Sequence, residues 1–318
     1  MWKTNLLDIR DEMQTTYQRL MDKKNQLANG RPLPASALHK IREALSIEWT
    51  YHSNSIEGNS LTLRETQMVL QEGITVKGKP LLEHFEAHNH QKAIELLFNY
   101  IDKKQAFSGS SILNLHALVL RSIEDDFAGR LRYGAVRISG ANFVPPAANK
   151  VSDILDELIA FVNDNPLHLN DIELAIAFHH RFVWIHPFFD GNGRAVRLAM
   201  NLFLMQKGFP PAIILQQDRK KYYDALNQAN SGSYYKLGVL ISQALERSLN
   251  IYLSAMPGNE YVYDSIQNII EDSKLPYGQE YLSLLARQGK IDAYKEGKVW
   301  YTSEKAIKQY MQKRKRQR

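Results

Sequence analysis

Proline follows histidine in the run His186-Pro187-Phe188-Phe189-Asp190-Gly191-Asn192-Gly193-Arg194-Ala195-Val196-Arg197, and that adjacency constrains the fold more than any other feature. The proline ring disfavours helical geometry at the residue before it. A helix carrying Ile172, Ile176 and Val183 on an apolar face therefore has to stop at His186. Asn170 and Glu173 mark its start as a capping pair. Beyond the glycines a second helix is expected from Asn192–Arg194 to Gly208. The loop between the two helices carries an imidazole, a carboxylate, an amide between glycines and two arginines within twelve residues.

Each part alone has a bland explanation. Pro187-Phe188-Phe189 reads as core packing, Asp-Gly-Asn-Gly as a turn, and a single histidine as structural. The combination reads as a site. Free N–H groups and the dipole at the start of the second helix favour an anion. Gly191 and Gly193 let the backbone curl around it. Arg194 and Arg197 lie three apart on that helix, so both can reach one ligand, and their donor forks match phosphate oxygens. Asp190 beside bound phosphates suits Mg²⁺, which takes one or two carboxylates plus phosphates and water. His186 is the natural general base.

The first hundred residues also read as helical. Gly30-Arg31-Pro32-Leu33-Pro34 separates a first helix from a second, for which Ser36 is the expected N-cap and Gly58 the stop. Thr62 and Glu65 form a capping box for a third helix ending near Gly73, and a fourth follows Pro80. Between Arg130 and Lys150, Val136 and Ile138 alternate with polar residues, and Gly140-Ala141-Asn142 and Pro145-Pro146 supply turns. That segment is predicted to be a short β-hairpin.

Composition removes several classes. The chain has 318 residues, 44% hydrophobic and 23% charged, as soluble globular chains do. It has no cysteine, which excludes disulfides and thiolate metal sites. The start, MWKTNLLDIRDEMQ, lacks the apolar core of a signal peptide, and no apolar run reaches the ~18 residues of a membrane span. The expectation is a cytoplasmic protein with no membrane contact. Of the net charge of +6, five positive charges fall in the last eight residues, MQKRKRQR.

The twelve-residue run resembles the signature of the Fic family, His-x-Phe-x-(Asp/Glu)-Gly-Asn-Gly-Arg-x-x-Arg, with every defined position met. The resemblance extends to the flanking helices, the hairpin and the helical N-terminal third. It implies a mainly α fold, a helical bundle with a β-hairpin flap. The implied activity is transfer of AMP from ATP to a Tyr, Thr or Ser hydroxyl of a target protein, with self-modification and a homodimer as further expectations. By the same resemblance His186 deprotonates the hydroxyl and Asp190 holds Mg²⁺. Asn192 and the Gly191 and Gly193 amides cradle the phosphates. Arg194 neutralises the departing pyrophosphate, Arg197 reaches the γ-phosphate and Phe188 anchors the loop. The Doc-type branch, which transfers phosphate, has lysine at the position of Gly193 and lacks the second arginine, so this chain fits AMP transfer. Tyr222, Tyr223 and Asn230 resemble nucleoside-pocket residues in spacing, and Ser139-Gly140-Ala141-Asn142-Phe143 would form the flap.

A second motif, Ser53-Asn54-Ser55-Ile56-Glu57-Gly58, resembles the family's inhibitory sequence (Ser/Thr)-x-x-x-Glu-(Gly/Asn). Ser53 and Glu57 share a helix face. At a helix C-terminus the dipole disfavours a carboxylate by ~0.3–1 kcal/mol, so Glu57 is expected to have a partner elsewhere. The resemblance names it as Arg197.

The chain divides into an N-terminal helical region with the inhibitory helix, residues 1–105, a catalytic core, 106–255, and a module at 256–318 that begins at Met256-Pro257-Gly258-Asn259. In that module two helices, candidate strands Ile291–Tyr294 and Val299–Tyr301 and a last helix resemble a winged helix-turn-helix domain with a basic tail. Arg287, Lys290, Lys295 and Lys298 would face DNA. Three alternatives to a plain AMP-transferring enzyme are a DNA-binding or adaptor protein whose site senses ATP, an enzyme that also removes AMP, and a metallohydrolase using His179, His180, His186 and Asp190. The last leaves the glycines and arginines without a role.

Overall fold

The computed structural model describes residues 8–30, 35–138, 140–141, 143–256, 263–272 and 275–316. Arg31–Pro34, Ser139, Asn142, Pro257–Asn259 and the last two residues of the basic tail lie outside them. The described chain is mainly helical. Its N-terminal helices are α1 (Asp8–Asn29), α2 (Ala35–Glu57), α3 (Leu63–Glu72) and α4 (Leu81–Asp102). Then come α5 (Gly109–Leu120), α6 (Val151–Asp164), α7 (Asp171–Ile185), α8 (Asn192–Gln206), α9 (Arg219–Asn230) and α10 (Tyr235–Ser254).

Helices α7 and α8 pack on each other at the centre. α2, α4 and α5 cover α8, while α6, α9 and α10 cover α7. Twelve of the fifteen residues in each central helix are buried. Burial of α7 thus extends beyond the apolar face of Ile172, Ile176, Val183 and their neighbours. Its His179, His180 and Arg181 are buried as well: His179 and His180 each bond a tyrosine hydroxyl, and the Arg181 guanidinium lies 3.9 Å from the Phe161 ring centre.

Local signals set most helix ends. The Thr62–Glu65 capping box forms in full, and Gly73 closes α3 in the left-handed region. Gly58, at φ +110°, ends α2. Ser36 does not cap α2, because that helix already starts at Ala35.

The segment expected to be a hairpin runs extended and turns where Ile138 O accepts from Ala141 N at 3.3 Å, yet no strand ladder forms among its described residues. Pro145 and Pro146 have no N–H to give to a ladder. Arg132 supplies donors instead, bonding Gly134 O at 3.0 Å and Pro146 O at 2.5 Å across the base of the flap.

After α10 come β1 (Asp264–Ser265), α11 (Ile266–Asp272), α12 (Gln279–Arg287), β2 (Ala293–Glu296), β3 (Val299–Thr302) and α13 (Glu304–Arg316). The strands form an antiparallel sheet of order β1-β3-β2. β2 begins two residues after the expected Ile291, and β1 is too short to show alternation in the sequence. This module has its own small core, including Ile266, Leu282, Leu285 and Ile307. No described helix is long and apolar enough to cross a membrane.

A buried charged cluster ties the module to both ends of the bundle. Lys23 on α1 donates to Glu246 (2.9 Å) and Asn250 (2.7 Å) on α10 and pairs with Asp292 ahead of β2. Burial would raise the Asp292 carboxyl, but Lys23 and Arg19 hold it below its ordinary value. Without Lys23 the buried Asp292 carboxylate loses its ion-pair partner, while Glu246 keeps Arg19 at 2.6 Å, and breaking such a buried pair costs about 3–5 kcal/mol. Lys23→Met is expected to lower the urea stability of the full chain by that amount, measured by equilibrium unfolding.

Candidate active site

Helix α7 delivers His186. Asn170 Oδ1 accepts from Ile172 N and Glu173 N, and Glu173 reaches back to Asn170 N, as the capping pair requires. At the other end His186 leaves the helix at φ 50°, ψ 62°, a left-handed geometry uncommon for residues other than glycine. Arg132, 2% exposed, stabilises that turn. Its Nε donates to His186 O at 2.8 Å and its backbone N to Pro187 O at 2.9 Å. These carbonyls lie beyond the last helical residue and have no partner within α7. One guanidinium thus fixes both the flap base and the backbone of the histidine.

Burial pushes the His186 imidazole down to about 4, with the Val183 backbone and the Glu57 and Asp190 carboxylates opposing the shift and Arg132 adding to it. The ring is therefore neutral at pH 7 and able to accept a proton.

The loop after His186 is held by side chains rather than by secondary structure. Phe188 is fully buried and stacks on His116 of α5, with ring centroids 3.6 Å apart. Asn192 clamps Phe188, accepting from its N at 3.0 Å and donating to its O at 2.9 Å. His116 Nδ1 accepts from Gly129 N, so Nε2 carries the proton that it donates to Asp190 O at 2.9 Å. Gly191 caps the start of α8 at φ +72°, and a Cβ there would press on the His116 ring.

At the start of α8 the two arginines already have carboxylate partners. Arg197, 2% exposed, pairs with Glu57 at 2.8 Å. It also donates to Ser53 Oγ at 3.1 Å and Ser53 O at 2.8 Å. Burial alone would lower Arg197, but Glu57 offsets it and the group sits above its ordinary value. A Cβ on Gly193 would overlap the Glu57 carboxylate. Glu57 thus lies directly against the helix N-terminus where an anion is favoured. Arg219 holds the end of α2 in place by donating to Ile56 O at 2.6 Å.

Arg194 pairs with Glu86 of α4 at 2.8 Å and with Asp190 at 3.3 Å. The Asp190 side chain is 63% exposed and points away from the core. A single exposed carboxylate beside an anion nest fits a magnesium ion that draws its other ligands from phosphate and water.

Residues 106–204 match the Fic/DOC family. The chain is 36% identical over 250 residues to the protein named Protein adenylyltransferase Fic of Nematostella vectensis, covering 76% of this chain and 56% of that protein. It therefore spans about half the length of that relative. The solved structure of Fic-1 from Caenorhabditis elegans matches with a TM-score of 0.69 and 30% identity, over 76% of this chain and 72% of that one. The chain belongs to the Fic/DOC family. A Fic family protein from Desulfovibrio desulfuricans, 20% identical, shares the fold over 91% of this chain and 95% of its own, with a TM-score of 0.60.

In this Fic chain the structure brings together His186, Asp190, Gly191, Asn192, Gly193, Arg194, Arg197, Ser53 and Glu57 around the start of α8. The nucleoside-pocket candidates fall differently. Tyr222 is 1% exposed, and its hydroxyl is bonded to His179 Nε2 at 2.8 Å. Tyr223 is half-buried under Arg219, whose guanidinium carbon lies 5.1 Å from the ring centre. Asn230 Oδ1 pairs with His180 Nε2 at 2.8 Å, and His180 Nδ1 with Tyr234 at 2.6 Å. These bonds engage His179 and His180 of the metallohydrolase alternative. Among the described residues no three His, Asp or Glu side chains gather as a metal site.

Sequence reasoning missed Glu86, His116, Arg132 and Arg219 around this candidate site. Nothing near them in the chain signals these roles, because each acts across a long sequence separation.

Burial also depresses His116 and His180 to about 4 and His179 to about 3. As pH falls below the ordinary histidine value of 6.5, the unfolded chain takes up protons that these buried rings refuse. Stability is expected to be full above pH 7 and to drop by roughly several kcal/mol toward pH 4. Urea midpoints measured at pH 7.5, 6 and 5 check the sign and the window.

Proposed function

We propose that this Fic protein transfers AMP from ATP to a Tyr, Thr or Ser hydroxyl of a target protein, and that Glu57 restrains it by occupying Arg197. The observation that carries this reading is the Glu57–Arg197 ion pair at 2.8 Å, set against Gly193 at the start of α8. The names of the relatives, protein adenylyltransferase Fic, support the reaction class.

His186, neutral at working pH, takes the proton of the incoming hydroxyl. The hydroxyl oxygen bonds to the α-phosphorus, the bond from that phosphorus to the bridging oxygen breaks, and pyrophosphate leaves. Free N–H groups at the start of α8 hold phosphate oxygens. The Asn192 side chain keeps the loop in shape through Phe188 rather than reaching for the ligand. Arg194 neutralises charge on the leaving group, and Arg197 takes the γ-phosphate once Glu57 releases it. Asp190 would hold Mg²⁺, which neutralises phosphate charge when bound.

With Glu57 in place, Arg197 is not free for the γ-phosphate and the chain of phosphates is set wrongly for in-line attack. A misplacement of about 1 Å costs ~10²-fold. Leu63, Ile74, Leu81, Leu82 and Phe85, all well exposed on α3, α4 and the turn between them, support a homodimer through that face. DNA binding has less support, because the wing is turned to the bundle: Gly297 O accepts from Gln217 at 2.8 Å, and Lys295 lies over Trp300.

Glu57→Gly is expected to raise AMP incorporation by ~10²-fold, and adding His186→Ala should return it to background. Intact-mass spectra of the protein and of candidate targets after incubation with ATP and Mg²⁺ read both. Equal AMP addition with and without His186 contradicts the assignment. Because His186 is held near 4, the acid limb of kcat/KM should lie well below pH 6.

A further inference from the structure

A cavity of about 380 Å³ lies between the bundle and the C-terminal module, on the side of α9 away from Arg197. Its bundle wall is one face of α10, where Lys236, Leu240, Ala244 and Arg247 recur at helical spacing. The opposite face of α10, with Leu237, Ile241 and Leu245, is fully buried in the main core. The cavity floor is apolar, built from Ile213, Leu215, Val239, Leu240, Ala244 and Trp300 of the module.

The charges around this floor are unevenly compensated. Asp218 pairs with Lys221 at 2.7 Å and Asp224 with Lys220 at 2.9 Å. Arg247 pairs with Glu48 at 2.9 Å. Lys236, Arg287 and Lys295 also line the cavity, and among the described residues no carboxylate pairs with any of them. An apolar floor holds water poorly, and the volume lies within the ~300–1,000 Å³ range of small-molecule sites.

We propose that this cavity binds a small organic anion with an apolar body, which lies on Leu240, Ala244 and Trp300 while its carboxylate or related acidic group meets Arg287, Lys295 and Lys236. The site is separate from the His186 chemistry, because Tyr222 on the inner face of α9 supports Arg197 while Lys221 and Asp224 face the cavity. Its two walls belong to different parts of the chain. Gln243 of α10 already bonds Ala286 O at 2.8 Å across the junction, so an occupant bridges parts that are in contact without it.

Fluorescence titration of the full chain with 8-anilinonaphthalene-1-sulfonate, beside the uncharged N-phenyl-1-naphthylamine, tests the site. The anion is expected to bind saturably at one site and more tightly than the neutral dye. Ala244→Trp, which fills the cavity, should abolish binding, and Arg287→Glu with Lys295→Glu should weaken it roughly tenfold. Thermal melts check that the variants fold. In the unmodified protein, ¹³C-methyl spectra should show Ile213 and Ile214 shifting with the anion. Absence of saturable binding, equal affinity for the neutral dye, or unmoved Ile213 and Ile214 methyls during binding would overturn the proposal.

Discussion

Arg197 is 2% exposed, and a guanidinium removed from water must be paired. Much of the arrangement around α8 answers that requirement. Glu57 supplies the opposite charge and Ser53 two oxygen acceptors, so α2 has to end where it does, with Gly58 turning the chain away. In the proposed function the same guanidinium takes the far end of the polyphosphate. A buried arginine left without an anion would be costly, so one anion or another is expected on it in every stable state. In the proposed function, restraint and activity are two ways of pairing one charge.

The histidine depends on a second buried guanidinium. A residue forced into left-handed geometry at a helix end needs its carbonyl satisfied, and Arg132 does this from outside the helix. Because the same side chain bonds Gly134 O and Pro146 O, the flap segment and the His186 backbone are positioned together. Below the loop, His116 joins Gly129 to Asp190 as a neutral bridge, so the anion nest rests on α5 as well as on α8.

Local chemistry was legible in the sequence. Both capping boxes, the stops at Gly58 and Gly73 and the break before Pro187 follow from residues close together in the chain. So did the constellation on α8 and, through the family resemblance, its link to Glu57. Non-local satisfaction was not legible. Glu86 reaches Arg194 across 108 positions, and Lys23 reaches Asp292 across 269. The flap shows the same limit: alternation at Val136 and Ile138 suggested strands, but a ladder also needs donors opposite, which Pro145 and Pro146 lack.

In the proposed function Glu57 and the γ-phosphate compete for Arg197. Calorimetric titration of ADP and ATP into the unmodified protein and Glu57→Gln measures this directly. Neutralising Glu57 should tighten ATP by about tenfold or more while leaving ADP nearly unchanged, because only ATP carries the competing phosphate. An equal gain for both nucleotides, or none for either, would contradict the account.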